Sequence, residues 1–430
     1  MQLKRELGKW DLVLLMINSI IGAGIFGLPS KIFGSVGIYS IPALFICAFI
    51  IFILVLNFAE VASRFKKTGG PYLYTLTAFG RVPAFIIAWL ILITRFSTYA
   101  ALINLLVTYL SHFSTVFLDP FFRFLAITCI TFLLTYVNYR GIRSSTLLNN
   151  TLAIAKLLPL IVFVMVGFFY IDVDLLYIEQ STPSLTDFSS TILILIFAFT
   201  GFEAVLVNTG EIKKPRTSIP FALIISVIFV AFFYGLIQFV SIGTLADLAL
   251  SEKPLTDAAA IFMGPLGAIF ISVGAIISIS GTLNSVMLIG SRLPYALSEE
   301  KQLPKVFSNI HKKYSSPVFS LLIFAGLSLL VSLTGSFIYA VSISVISKVM
   351  IFVFVCAALI KLRLKEKSPK KYFKLPYGYA IAILGILVSV GLLSSSKLSE
   401  FVDVLYSIIV GIIFYGLFKL VAWLKNKKSI

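Results

Sequence analysis

Apolar stretches long enough to cross a bilayer follow one another from end to end of this chain. That succession constrains the fold more than any motif does. Twelve can be marked, near 11–33, 38–63, 82–110, 120–138, 145–171, 189–209, 218–241, 264–291, 316–334, 337–360, 376–395 and 402–424. An α-helix rises about 1.5 Å per residue, so roughly 20 apolar residues cross a hydrocarbon core about 30 Å thick. Only 12% of the residues are charged, whereas a soluble domain carries roughly 25%. Lipid accepts the excess apolar surface, and bundled helices satisfy their backbone N–H and C=O groups without water. The expectation is an all-α integral membrane protein with twelve transmembrane helices.

The net charge of +17 would suggest nucleic acid if the chain were soluble. Here the basic residues fall between apolar stretches, where they set orientation. With the N-terminus inside, only Lys31, Arg123, Lys253 and Lys397 of the 35 lysines and arginines lie on the outer side. Arg95, Lys156 and Lys348 lie within spans. All the others are on the inner side, so a multi-pass cell-membrane protein with both termini cytoplasmic is expected, and no nucleic-acid partner. The first apolar run is too long for a secretory signal peptide and is kept as a helix.

Little material for catalysis is present. Cys47, Cys129 and Cys356 are far apart, and His112 and His311 sit in loops, without metal-ligand spacing. No Gly-x-x-x-x-Gly-Lys-Ser/Thr motif occurs, so direct ATP hydrolysis is not expected. A channel would need a filter segment, and none repeats along the chain. The reading is of a non-enzyme without a cofactor.

Two spans contain helix breakers at their centres. Span one reads Ile20-Ile21-Gly22-Ala23-Gly24-Ile25-Phe26-Gly27-Leu28-Pro29, and span six reads Phe197-Ala198-Phe199-Thr200-Gly201-Phe202-Glu203. Each mid-helix glycine costs about 1 kcal/mol relative to alanine. Small residues also let helices approach closely. A discontinuous helix is the sharper reading, since its bare backbone groups bind ions and polar ligands. The two breaks are five spans apart, a spacing that suits two inverted five-helix halves.

Further motifs stand in order along the chain: Thr68-Gly69-Gly70-Pro71-Tyr72, Asn138-Tyr139-Arg140-Gly141, Lys156-Leu157-Leu158-Pro159-Leu160, Glu211 with Lys213, Lys214 and Pro215, and Gly290-Ser291-Arg292 after span eight. Together with Gly22 to Phe26 and Phe197 to Glu203, they resemble the amino acid–polyamine–organocation transporters, the amino acid permeases, over nearly the whole chain. The resemblance implies a leucine-transporter-like fold: one membrane domain over 1–430, with repeat one over about 11–171, repeat two over about 189–360 and two further helices over about 376–424. It implies secondary transport of an amino acid by alternating access around a midplane site.

Carried over by the resemblance, the substrate carboxylate would rest on backbone N–H groups at Gly22, Ala23 and Gly24, with Ser19 beside them. The ammonium would meet carbonyls at Phe197, Ala198 and Phe199, next to Gly201. Phe197 stands where some members have tryptophan as a lid. Ala23 departs from the serine that many members carry. In sodium-coupled relatives of this fold a sodium ion lies between helices one, five and eight, and in sodium-independent members a lysine on helix five fills that place. Lys156 matches that lysine. A buried ammonium able to release and rebind a proton implies proton coupling, or sodium-independent exchange; snorkelling at a helix end is the plain alternative.

Charges within the membrane mark functional sites. Arg95 needs an anion, and Glu203 and Glu60 are its candidate partners, either as a structural ion pair or as a gate. Lys348 receives no role. The presumed pocket positions Ile91, Leu92, Phe199 and Ile277 are apolar, which favours a neutral amino acid, while an unpaired Arg95 would admit an acidic one. The other readings are an amine or polyamine exchanger and a transporter-like nutrient sensor. Membrane lipid is the only other partner expected.

Overall fold

The computed structural model describes residues 8–427 apart from 23, 66–68, 141–155, 177–181, 207–211, 312, 315, 335–336 and 366–371. Every regular element among the described residues is helical. In chain order the α-helices are α1 (Lys9–Ile20), α2 (Gly24–Gly27), α3 (Pro29–Val36), α4 (Ser40–Ser63), α5 (Gly70–Phe79), α6 (Arg81–Leu110), α7 (Pro120–Tyr139) and α8 (Leu157–Gly167). Then follow α9 (Leu185–Phe199), α10 (Phe202–Leu206), α11 (Pro215–Thr244), α12 (Pro254–Glu299), α13 (Val318–Thr334), α14 (Phe337–Leu364), α15 (Gly378–Ser394) and α16 (Leu398–Lys427).

Their ends follow local chemistry. α3, α7, α11 and α12 each open on proline, whose missing N–H costs nothing in a first turn. The Asp119 carboxylate caps α7 by accepting from the N–H groups of Phe121 and Phe122. Ser184 caps α9 by accepting from the Asp187 N–H at 3.1 Å.

Among the described residues, eight helical stretches are long and apolar enough to cross a membrane, and shorter apolar helices occupy the other expected positions at Leu157–Tyr170, Leu185–Phe199, Val318–Leu333 and Gly378–Ser394. Two of these shorter helices have a local setting. The expected fifth span begins in residues outside the described part, and α9 is cut by the break at Thr200 and Gly201. The expected loop at Gly290-Ser291-Arg292 is instead helical, because α12 continues to Glu299. Its lower limit also differs in form. Gly264 takes φ 67° and ψ −166°, with Pro265 next, so α12 is kinked where span eight was expected to begin. The remaining 35 residues measure about 50 Å at 1.5 Å each, longer than a hydrocarbon core of about 30 Å.

α6 is the central helix, with 72% of its most apolar window buried, against 17% for α7 and 11% for α16. α12, α13 and α14 pack around it, and α11 lies along both α4 and α1. Large apolar side chains such as Phe49, Phe132, Leu266 and Leu387 remain exposed on the outer helices. In water that surface would be unfavourable, whereas lipid accommodates it. The core thus surrounds the two helix breaks, and the rim is apolar.

Candidate functional site

The first break follows α1. Ile21 leaves the helix at φ −69° and ψ 92°, and α2 resumes at Gly24. Ala23, the residue between them with an expected role in carboxylate binding, lies outside the described residues. The last carbonyls of a helix have no intrahelical partner and must find donors elsewhere. Here other helices supply them. The Lys156 ammonium donates to the carbonyl oxygens of Asn18 and Ile21, the latter at 2.6 Å. The Tyr234 hydroxyl, from α11, lies 3.3 Å from the Ile20 oxygen. Lys156 is only 4% exposed, so it does not snorkel.

The second break separates α9 from α10. Thr200 is extended, and Gly201 takes φ 131°, a conformation that L side chains rarely adopt. Its N–H donates to Glu203 Oε2 at 2.8 Å. The Thr200 hydroxyl donates to the Phe197 carbonyl at 2.9 Å. The two breaks are joined directly: Ser19 Oγ donates to the Gly201 carbonyl at 2.8 Å. Tyr234 spans both, since its hydroxyl is also 3.2 Å from the Ala198 oxygen.

Around this junction lies a small, partly open cavity. The first break contributes Ser19, Ile20, Gly22 and Gly24 to its wall, and the second contributes Phe197, Thr200, Gly201 and Glu203. α6 supplies Arg95, Thr98 and Leu102; α12 supplies Thr282 and Ser285 with Val286 and Ile289; α14 supplies Lys348. Backbone polar groups, three charges and a few apolar side chains therefore face one space.

The charges are arranged differently from the sequence expectation. The neighbour of Glu203 is Lys348, at 4.0 Å, rather than Arg95. Lys348 Nζ also donates to Thr200 Oγ1 at 2.6 Å and stands 5.3 Å from the centre of the Phe197 ring. Arg95 is 8% exposed, and its Nε has no hydrogen-bond partner among the described residues. Glu203 attracts it from beyond contact distance. Glu60, the other candidate partner, is fully engaged elsewhere. It accepts from Arg64 at 2.6 Å, from Arg363 Nε at 2.8 Å and from the Leu375 N–H at 2.8 Å.

Of the residues expected to bind substrate, Ser19, Gly22, Gly24, Phe197 and Gly201 border the cavity, while Ala198 and Phe199 do not. Ala198 is occupied as a close-packing partner: a Cβ added at Gly24 would lie 2.9 Å from its Cα. Phe199 points the other way and packs edge-on against Tyr234, with ring centroids 5.4 Å apart. Ile91, Leu92 and Ile277 likewise stand outside the lining. Sequence reasoning left out Lys348 and Tyr234. The signal for Lys348 was available, because a charge within a span is itself a functional flag. Nothing in the sequence distinguishes Tyr234 from other tyrosines in spans.

The amino acid permease family model matches residues 7–415. The chain is 26% identical to the serine/threonine exchanger SteT of Bacillus subtilis, over 97% of this chain and 98% of that one. It is 27% identical to the branched-chain amino acid permease BcaP of the same organism, over 97% of this chain and 93% of the other. It is 28% identical to the human large neutral amino acids transporter small subunit 2, over 78% of this chain and 65% of the relative.

Proposed function

The chain belongs to the amino acid permease family, and from that premise we propose how it carries amino acids: by alternating access at the junction of its two helix breaks, without sodium. The observation that carries this reading is the Ser19–Gly201 contact beside the cavity. Two helices interrupted at the same depth leave bare backbone groups around one space, and such groups replace the hydration of a zwitterion. On this reading the substrate carboxylate rests on the first break near Gly22 and Gly24. The ammonium turns toward the second break and Glu203.

Lys156 bears on the coupling. Its ammonium stands among the carbonyls of Asn18 and Ile21, which are the kind of oxygen ligands a sodium ion would take. A lysine ammonium there supplies the charge that sodium would otherwise bring, and loss and return of its proton would couple transport to a proton gradient. Twelve spans with two inverted five-helix halves, and cytoplasmic termini, complete the proposal. The kinship with a protein described as an exchanger supports obligatory exchange as a second mode.

The test is uptake of labelled amino acids into proteoliposomes containing the purified chain, with empty or preloaded lumens. Saturable uptake supports a carrier, and uptake that requires internal substrate supports the exchange mode. Flux that rises linearly with concentration contradicts a carrier.

A further inference from the structure

The three charges that border the cavity do not cancel. Arg95 and Lys348 are cationic, and Glu203 is the single anion among them. Lys348 is engaged twice, by Thr200 Oγ1 at 2.6 Å and by the Glu203 carboxylate at 4.0 Å. Arg95 has neither a hydrogen bond nor an ion pair among the described residues, although it is more than nine-tenths buried and borders the same space. A guanidinium carries five N–H donors and stays charged at any physiological pH. Such a group, with its Nε buried and unpaired and Glu203 acting on it only from beyond contact distance, is left unfavourably compensated. It demands an anion from whatever occupies the cavity.

The α-amino acid framework does not supply one. Its carboxylate is offset by its own ammonium, so a neutral amino acid leaves the positive excess in place. A substrate with a second carboxylate removes it. Resting on the reading of this cavity as an amino acid site, we infer that the transported substrate is an acidic amino acid whose side-chain carboxylate is received by Arg95. The planar guanidinium fits a carboxylate through two parallel N–H···O bonds. Thr98 borders the cavity three positions along α6 from Arg95, on the same helix face, with its hydroxyl paired to Ser344 Oγ at 2.8 Å. The apolar positions that favoured a neutral side chain, Ile91, Leu92 and Ile277, are not in the lining.

The test compares glutamate and aspartate with their neutral isosteres glutamine and asparagine, as labelled substrates in proteoliposomes holding the full chain. Wild type is expected to take up an acidic substrate at least tenfold better than its amide. Arg95→Gln is expected to abolish that ratio, and Arg95→Lys to restore part of it, since lysine keeps the charge but not the fork. Equal or better uptake of the amide by wild type overturns the inference, as does a ratio unchanged in Arg95→Gln. Saturable uptake of other amino acids without either acidic one also overturns it, while leaving the amino acid site intact. Absence of uptake for every amino acid strikes at the transport reading itself. If Arg95→Gln does not fold, the wild-type ratio decides alone.

Discussion

Gly201 lies so close to Ser19 that a Cβ at Gly201 would stand 2.2 Å from the Ser19 carbonyl oxygen. The obstacle is backbone, which cannot swing aside as a side-chain tip can. The contact holds two interrupted helices together at the wall of the cavity, and glycine is the residue that permits it. Its φ of 131° adds a second reason.

Gly201→Ala therefore combines overpacking, which costs about 1–3 kcal/mol, with backbone strain of similar size. It should lower transport more than tenfold and reduce the melting temperature of the purified protein. Gly326→Ala, inside α13, is the control, since nothing lies within 4 Å of its Cβ position, and it should be neutral or stabilising by up to about 1 kcal/mol. Equal behaviour of the two variants would contradict the assigned contact.

Tyr234 presents one hydroxyl proton to two acceptors, the Ile20 and Ala198 carbonyls at 3.3 and 3.2 Å. A hydroxyl donates one proton, so it can serve either broken helix as they shift. Tyr234→Phe keeps the ring against Phe199 and removes the bridge. The expected stability loss is about 1 kcal/mol, with turnover falling severalfold while substrate affinity is held. Kinetics of uptake separate the two effects, and unchanged turnover would count against the bridge.

Glu60 ties α4 to the end of α14 through Arg363 and to the following segment through the Leu375 N–H. Arg64 joins the cluster and stacks 4.2 Å from the Tyr372 ring centre. Removing one partner of a buried pair leaves an uncompensated charge, at about 3–5 kcal/mol. Glu60→Ala should lower the unfolding temperature sharply. Combining it with Arg363→Met should cost less than the sum of the single variants, as a double-mutant cycle measures. Additive losses would mean that the two side chains act independently.

Lys348 binds the extended turn of the second break from α14 through Thr200. Lys348→Met removes that bond and leaves Glu203 facing Arg95 alone. Uptake should fall at least tenfold, whereas Thr200→Val, which deletes the acceptor but keeps both charges, should fall less. The reverse order would assign the larger effect to the hydroxyl.

The sequence and the structure agree where local chemistry decides. Gly201 marks its break through its positive φ and its approach to Ser19, and Gly24 through its approach to Ala198, whereas a Cβ at Gly22 would meet only ordinary contacts. Apolar length marks the helices, and Lys156 is visible because an ammonium within an apolar run needs oxygen ligands. Pairing was less legible. Which carboxylate meets which cation depends on how α6, α10 and α14 rotate against one another, and that rotation leaves no local trace. Glu203 thus meets Lys348 and leaves Arg95 open, while Glu60 turns to Arg363, which follows it by 303 positions. The limit of the eighth span was likewise hidden, because a helix can run past the lipid boundary and still read as a loop once charges appear.

The most direct test of the central claim is uptake of a labelled amino acid mixture into proteoliposomes in sodium-free buffer, comparing wild type with Lys156→Ala. The account predicts saturable uptake by wild type without sodium, and its loss in the variant, whose Asn18 and Ile21 carbonyls are left without their ammonium. Uptake by wild type that requires sodium, or full activity in Lys156→Ala, would contradict it.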